Sequence, residues 1–287
     1  MSRLYDEEFR HFIGYTDWYD VLKPAVYETF SPTHELTKLV PNLEGIDPED
    51  NCSVVPYIKG SAFLFLLEQK LGGSEVFNLF LQAYIAKYAR KSVTAQQFID
   101  YLYEYFADKK SIIDGVQINK WLYEPGMPPE MPVYKDTRVK KCRKIVDIWV
   151  ENSVEELRDM DPNEFLNMHP YEKSNVISTL EYEPECALSQ EKIALFDEKY
   201  KMSELKHNDL LNKWIALALR CKYRPVIPLA LKFITDFGRV KYLQTIYKRL
   251  FEWDETREMA INCFHNNSET MHPISVNYVK SLLKEKI

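Results

Sequence analysis

Apolar residues recur at spacings of three and four along most of the chain, which predicts helices. The densest apolar run extends from Gly60 to Gly73, directly after the pair Pro56-Tyr57. Proline suits the first turn of a helix because its missing N–H is not needed there. We therefore predict a buried helix that begins near Pro56 and ends at a cap formed by Gly72 and Gly73. Tyr57 would lie at its start, with its hydroxyl facing a cavity.

Helical periodicity also appears on both sides of this run. Residues 1–29 show it, with a break expected near Gly14. Ser74 is predicted to cap the following helix through its side chain. Thr94 and Gln97 have the spacing of a capping box, which predicts the start of another helix. The periodicity favours an all-α chain.

The clearest interruption is a proline-rich stretch that begins after residue 123. We predict a helical region over residues 1–123, a stiff linker over 124–136, and a second helical region over 137–287. Closely spaced helix starts without strand signals favour an armadillo- or HEAT-like α-solenoid in the second region, although no repeat of fixed period supports it. The predicted later starts are Ser189, Asn208, Asp254 and the pair His272-Pro273.

Composition limits the function classes. Hydrophobic residues form 46% of the 287 residues, yet no apolar run reaches the length of about 18 needed to span a bilayer. The net charge is −6 with interspersed signs, which predicts no nucleic-acid surface. The five cysteines are widely spaced without a C-x-x-C motif, and no apolar signal segment opens the chain. We predict reduced thiols in a cytoplasmic protein without a membrane partner.

No complete set of catalytic residues is visible in the sequence. His34-Glu35 lacks the second histidine of an H-E-x-x-H zinc motif, because Leu36-Thr37-Lys38 follows it. Phosphate-binding glycine loops and the G-x-S-x-G motif are absent from the sequence. We therefore predict no metal site from these residues.

Two clusters could carry chemistry. Glu49 and Asp50 lie shortly before Tyr57, where the alternatives are a cleft and a solvated acidic loop. Arg239 and Lys241 follow Gly238. They could complement the dipole at the end of the preceding helix, or they could bind a carboxylate, which the guanidinium fork does bidentately.

Several short residue sequences along the chain determine how these two clusters are interpreted. They occur in one constant order from the N-terminus to the C-terminus. The ordered set resembles the leukotriene A(4) hydrolase and aminopeptidase B family of zinc aminopeptidases. The strings are Phe9-Arg10-His11-Phe12, Thr37-Lys38-Leu39-Val40, Ile46-Asp47-Pro48, Ser53 to Gly60, Leu67 to Gly73, Trp121 to Pro129, Ile227 to Lys232, Gly238-Arg239-Val240-Lys241 and Met271-His272-Pro273.

The resemblance implies the second half of a thermolysin-like catalytic domain followed by the α-solenoid. The family's zinc ligands precede the part matched here, so we expect no catalytic zinc and no turnover from this chain alone. The likeness begins near Ser2, which would place Met1 inside a domain. The sequence is therefore interpreted as truncated, partial or divergent.

Family roles transfer only to matching positions. The resemblance implies that Tyr57 donates a hydrogen bond to the oxyanion, and that Arg239 and Lys241 bind the C-terminal carboxylate of a short peptide. Glu49 would contribute an acidic side chain to the cleft. Cys52 stands where the hydrolase branch has tyrosine, which puts epoxide hydrolysis in doubt.

Two functions of different classes follow. The first is the C-terminal portion of a zinc metallo-aminopeptidase, whose missing catalytic half would pack against apolar surface left exposed on residues 1–123. The second is a non-catalytic helical scaffold or peptide-binding module, in which Tyr57 only packs. A separate chain supplying the missing half is a third interpretation.

Overall fold

A computed structural model describes residues 6–45, 53–183 and 188–284, with side chains described through residue 282. The chain divides into two compact units, Met1–Arg138 and Val139–Ile287. All regular structure in the described residues is helical, as the periodicity predicted. None of these helices is both long and apolar enough to cross a bilayer.

The described residues of the first unit form six α-helices and shorter helical turns. Its α-helices are α1 (Glu7–Thr16), α2 (Val55–Leu71), α3 (Gly73–Lys87), α4 (Ala95–Tyr105), α5 (Lys110–Gly115) and α6 (Ile118–Tyr123). Two π-helical segments, Asp17–Leu22 and Ala25–Thr29, continue α1, and 3₁₀ turns cover Glu35–Thr37 and Ala107–Lys109.

The predicted break at Gly14 is wrong, because α1 passes through this glycine. The ring of Tyr134 covers Gly14 so closely that an added Cβ would lie 2.2 Å from its Cε1 atom. Gly14 therefore provides space for a neighbouring ring, and it does not end the helix.

Helix α2 is the central element of the first unit and packs against α3, α5 and the segment Asp17–Leu22. Pro56 lies in its first turn, and Gly72 ends it with a φ of +121°, both as predicted. The predicted cap at Ser74 is wrong, since α3 already begins at Gly73 without a side-chain cap.

Local capping is confirmed at the start of α4. The Gln97 amide N–H donates to Thr94 Oγ1 at 3.2 Å, and the Thr94 amide N–H donates to Gln97 Oε1 at 2.9 Å. Both partners lie within four residues, which is why the sequence pattern alone revealed the interaction.

The proline-rich stretch 124–136, here called the proline strap, packs along the first unit. Its Val133 exchanges two hydrogen bonds with the side chain of Gln69, at 2.7 and 3.0 Å. The Gly126 amide donates to Thr37 Oγ1 at 2.7 Å. The division between the units thus falls after Arg138, and the strap is held by the first unit.

The second unit contains ten α-helices within its described part. They are α7 (Thr137–Glu151), α8 (Val154–Asp159), α9 (Asn163–Leu166), α10 (Pro170–Tyr182), α11 (Gln190–Tyr200), α12 (Asn208–Arg220), α13 (Ile227–Asp236), α14 (Val240–Glu252), α15 (Asp254–Asn267) and α16 (Pro273–Lys284). The 3₁₀ turns are Met202–Glu204, Arg224–Val226 and Ser268–Thr270.

These helices pack in two layers, the arrangement expected of an α-solenoid. One layer runs through α10, α12, α14 and α16, each packed against the next. The other includes the pairs α8 with α11 and α13 with α15. Buried tryptophans fill the space between them, and Trp149 Nε1 still donates to the Tyr200 hydroxyl at 3.2 Å.

The predicted helix starts in this unit are confirmed. Ser189 caps α11 by accepting from the Lys192 amide, while α12, α15 and α16 begin at Asn208, Asp254 and Pro273. These positions combine a polar or proline residue with a following apolar period, so the signal is local.

The prediction that all five cysteines are reduced thiols is wrong for Cys221, which is disulfide-bonded. Cys142 and Cys263 are not disulfide-bonded. Wide spacing along the sequence does not show which cysteines meet in the folded chain, so it could not exclude a disulfide.

Candidate active site

Tyr57 lies in the first turn of α2, and its side chain points away from the core. It is 78% exposed, whereas Val55, two residues earlier, is fully buried. Its hydroxyl makes no hydrogen bond to any residue that the structure describes. The first turn of α2 therefore presents an unengaged phenol at the positive end of a helix.

A cavity of about 660 Å³ opens beside Tyr57 within the first unit. Residues of α1, α2, α3 and α4, together with Tyr134 of the proline strap, form its walls. Most of the lining is apolar or aromatic. Three charged residues interrupt it: Arg10, Asp17 and Glu68.

Arg10 and Glu68 form an ion pair across the cavity wall. Arg10 Nη2 lies 2.8 Å from Glu68 Oε1, and the Glu68 side chain is only 5% exposed. The guanidinium also stands over the Phe65 ring, 5.4 Å from its centroid. This pair joins α1 to α2 and fixes the wall below Tyr57.

Asp17 lies partly buried beside Tyr134. Burial, and secondarily the charge of Asp20, raises the pKa of Asp17 to about 6. Burial also raises the pKa of the Tyr134 hydroxyl, and the charge on Asp17 adds to that effect. The cavity wall thus holds a carboxyl that is protonated more readily than an exposed aspartate.

Lys59 anchors the helix turn that carries Tyr57. It follows Tyr57 by two residues, which is about 200° around the helix, so it points inward where Tyr57 points outward. The Lys59 side chain is fully buried. Its Nζ donates to the carbonyl oxygens of Thr37 at 3.0 Å, Glu124 at 3.1 Å and Gly126 at 3.1 Å.

These three hydrogen bonds tie α2 to the 3₁₀ turn Glu35–Thr37 and to the proline strap. Burial lowers the pKa of Lys59 to about 8, partly offset by the charge of Glu124. Three carbonyl acceptors match the three protons of an ammonium group. The position of Tyr57 therefore depends on a buried, fully paired cation.

Arg239 and Lys241 lie together in the second unit, at the start of α14. Arg239 is the residue before the first turn of α14, and α13 ends at Asp236. The two cations thus lie where α13 ends and α14 begins. Both side chains stand over the Tyr242 ring, at 5.8 Å for Arg239 and 4.9 Å for Lys241.

Lys241 is engaged by a carboxylate of the same unit. Its Nζ forms an ion pair with Asp209 Oδ1, and the Tyr242 hydroxyl donates to the same oxygen at 2.9 Å. Burial would raise the pKa of Asp209, but the hydrogen bonds from Lys241 and Tyr242 outweigh it and lower that pKa. A carboxylate is thus already bound where the sequence predicted a carboxylate site.

Glu49, Asp50 and Cys52 lie outside the described residues. Within the part of the chain that the structure describes, no group of three or more His, Cys, Asp or Glu side chains could hold a metal ion. The described side chains therefore do not form a ligand set for the zinc ion of the family that the sequence resembles.

Two protein-family models match successive regions of the chain. Residues 15–121 match the Peptidase family M1 domain, and residues 168–283 match the leukotriene A4 hydrolase C-terminal domain. The first unit is thus similar to the Peptidase family M1 domain, and the second to the leukotriene A4 hydrolase C-terminal domain. Tyr57 falls in the Peptidase family M1 region, whereas Arg239 and Lys241 fall in the C-terminal one.

Relatives and solved structures agree with this division. Leukotriene A-4 hydrolase of Xenopus laevis is 36% identical over 274 residues, covering 96% of this chain and 44% of the relative. Leucine aminopeptidase 2-2 of Scheffersomyces stipitis is 31% identical over 293 residues, covering 96% and 45%. Yeast LTA4 hydrolase in complex with Bestatin superposes with a TM-score of 0.87 at 27% identity, over 98% of this chain and 47% of the yeast chain.

The chain is thus homologous to leukotriene A4 hydrolases and leucine aminopeptidases, and it spans less than half their length. The fold prediction is confirmed, since the match covers the helical C-terminal part of these proteins.

Sequence reasoning missed several residues of the Peptidase family M1 region that shape the cavity. Lys59 and the pair of Arg10 with Glu68 were visible as charges among apolar residues of α1 and α2. A charge inside an apolar helix signals a buried partner. The identity of each partner came only from the tertiary structure.

Proposed function

We propose that this chain is the C-terminal portion of a zinc metallo-aminopeptidase that removes N-terminal residues from short peptides. The observation that supports this most is Tyr57, an unengaged phenol at the edge of a cavity on a helix anchored by a buried lysine. The names of the homologous leucine aminopeptidases support the same reaction class.

In the proposed reaction Tyr57 donates its hydroxyl proton in a hydrogen bond to the oxyanion that forms on the peptide carbonyl. One such donor typically lowers the barrier by about 3 kcal/mol. Arg239 and Lys241 would bind the peptide's C-terminal carboxylate. Because the described residues do not fit zinc, no step of the reaction is assigned to a metal held by them.

A second polypeptide, the preceding half of the peptidase domain, would complete the site. Residues of the first unit expose large apolar side chains, including Tyr27, Leu79 and Ile85 at 53%, 59% and 67%. The cavity beside Tyr57 adds a further apolar surface. The proposal places these side chains under the preceding half, because contiguous exposed apolar surface marks a binding site for another polypeptide.

The proposal predicts that the purified chain binds no stoichiometric zinc and does not hydrolyse a leucine arylamide. Mixing it with a separately produced preceding half from a relative should restore hydrolysis. The matched control is the Tyr57→Phe chain, which should bind that half equally well and stay inactive. Zinc-dependent turnover by the chain alone, lost in Tyr57→Phe, would overturn the predicted inactivity.

The alternative function is a non-catalytic helical scaffold or peptide-binding module. In this alternative, peptides would bind to the helical surface of the second unit. Titration calorimetry with short peptides separates the two functions. Peptide binding that is unchanged by Tyr57→Phe, together with no activity after addition of the preceding half, would support the scaffold.

A further inference from the structure

The cavity of the first unit contains a carboxylate without a counter-charge. Three charged residues line this cavity, and two of them, Arg10 and Glu68, form an ion pair at 2.8 Å. The side chain of the third, Asp17, forms no hydrogen bond or ion pair with any residue that the structure describes. The lining therefore carries one uncompensated negative charge.

A second polar group with unused hydrogen-bonding capacity lies in the same wall. Tyr134 of the proline strap lines the cavity and packs on Gly14, which is about one helical turn before Asp17. Its ring stacks on Phe65, with 5.3 Å between the centroids, so the ring is held in place. The Tyr134 hydroxyl, like the Asp17 carboxylate, has no hydrogen-bond partner among the described residues, although buried polar groups normally have one.

The size and lining of the cavity fit a small molecule. Its volume of about 660 Å³ falls within the range of about 300–1,000 Å³ that is typical of small-molecule sites. Such sites combine apolar walls with a few polar groups that orient the ligand. Here the apolar wall is formed largely by α2 and α4, and Asp17 and Tyr134 are the polar groups.

Charge decides which polar group a ligand should bring. An ionised carboxylate in apolar surroundings is poorly hydrated, which is why burial raises the pKa of Asp17 to about 6. An ammonium group has three N–H donors, so it can donate to the Asp17 carboxylate and to the Tyr134 hydroxyl oxygen at once. A neutral hydroxyl would leave the charge of Asp17 uncompensated, and an anion would be repelled.

We propose that this cavity binds a small primary amine with an apolar or aromatic body, whose ammonium group pairs with Asp17 and Tyr134. The body of the ligand lies against the apolar wall of α2 and α4. Binding can be measured on this chain alone, so the proposal does not depend on peptidase activity.

The test is titration calorimetry of the chain with 4-phenylbutylamine at neutral pH, with 4-phenylbutanol as the neutral probe of the same carbon skeleton. We expect the amine to bind about tenfold more tightly, because hydrogen bonds between charged groups are stronger than those of a neutral hydroxyl. Asp17→Asn should bring the two affinities together, whereas Asp20→Asn, at an exposed neighbour, should keep the preference for the amine. Equal binding of the two probes by wild type, no binding of the amine, or a preference that survives Asp17→Asn would overturn the proposal.

Tyr134→Phe tests the second contact, because it keeps the ring and removes only the hydroxyl. We expect it to weaken binding of the amine about threefold, the loss of one hydrogen bond. A wild-type affinity in this variant would refute the contact with Tyr134. Should Tyr134→Phe fail to fold, Asp17→Asn decides.

A last arm distinguishes a small amine from a polypeptide. A peptide with blocked termini and one lysine among leucines presents the same ammonium group on a polypeptide. The proposal predicts weaker binding of this peptide than of 4-phenylbutylamine. Tighter binding of the peptide would show that a polypeptide segment occupies the cavity, and would overturn the proposal.

Discussion

Two lysines, Lys59 of the first unit and Lys241 of the second, show how differently the two units hold a cation. Lys59 is fully buried, and three backbone carbonyls accept its protons. Lys241 is 48% exposed and pairs with the carboxylate of Asp209, which is 52% exposed. Lys59 therefore holds elements of the first unit together. Water can replace the carboxylate that pairs with Lys241.

The difference bears on the proposed roles. A donor to an oxyanion must be held in place before the reaction, which suits a helix turn anchored from below. A substrate carboxylate must be able to enter and leave, which suits exposed cations with an exchangeable partner. The two units therefore match the two tasks that the proposal gives them.

The largest expected effect is at Lys59. Lys59→Met removes the donor to three carbonyls, and we expect the free energy of unfolding to fall by about 3–5 kcal/mol because buried acceptors are left unpaired. Lys241→Met is the matched control and should lower it by less than about 1 kcal/mol. Urea unfolding of both variants measures the difference. Equal effects would remove the distinction between the two lysines.

Next in size is the contact of Gly14 with Tyr134. The Tyr134 ring stacks on Phe65, with 5.3 Å between the centroids. Gly14→Ala would force it off this stack, and we expect the free energy of unfolding to fall by about 2–3 kcal/mol from overpacking. The control is Gly115→Ala, where no atom lies within 4 Å of an added Cβ and helix propensity should make the change neutral or slightly stabilising. Thermal melts of both variants measure this. A harmless Gly14→Ala would contradict the close packing of the strap.

Asp17 should give a pH-dependent effect on the free energy of unfolding of about 2–3 kcal/mol. Its pKa is about 6 in the folded chain and 3.8 in the absence of the protein's influence. Between pH 3.8 and 6 the folded state therefore keeps a proton that the unfolded state has lost. Stability from this group is therefore present below pH 3.8 and is lost as the pH rises through 6.

Asp17→Asn should accordingly raise the melting temperature at pH 7.5 and leave it nearly unchanged at pH 3.5. Asp20→Asn, which removes only the weaker neighbouring charge, should give a smaller gain at pH 7.5. A gain from Asp17→Asn that is equal at both pH values would show that the carboxyl is not the cause.

The smallest expected effect is at Asp209. Asp209→Asn removes the exposed partner of Lys241 and should lower the free energy of unfolding by about 0.5 kcal/mol, since exposed pairs are screened. The lowered pKa of Asp209 means that this contribution is present above pH 3.8 and disappears as the pH falls through its folded value. Wild type and variant should therefore converge at low pH and in 1 M salt. A stability difference between wild type and variant that persists at low pH and in 1 M salt would mean that it does not come from a solvent-exposed ion pair.

Local signals account for what the sequence predicted well. The proline in the first turn of α2, the glycine at its end and the capping box of Thr94 with Gln97 involve partners within one helical turn. Such interactions depend on spacing alone. The ordered strings across the chain then predicted which homologues it has.

Long-range contacts account for what the sequence could not supply. Lys59 binds carbonyls 22, 65 and 67 residues away, and Gly14 meets Tyr134 on the proline strap. The ion pair of Lys241 with Asp209 likewise joins α14 to α12. None of these partners can be chosen from the pattern around one residue, since many side chains of the right type compete.

The central claim is that Tyr57 is a positioned donor within an enzyme completed by a second polypeptide. The most direct test is hydrolysis of a leucine arylamide by the chain mixed with the preceding half of a relative's peptidase domain, comparing wild type with Tyr57→Phe. The account predicts at least a hundredfold loss of kcat in the variant, with unchanged KM and an unchanged melting temperature because the hydroxyl is exposed. Equal kcat values for wild type and Tyr57→Phe in an active mixture would contradict it.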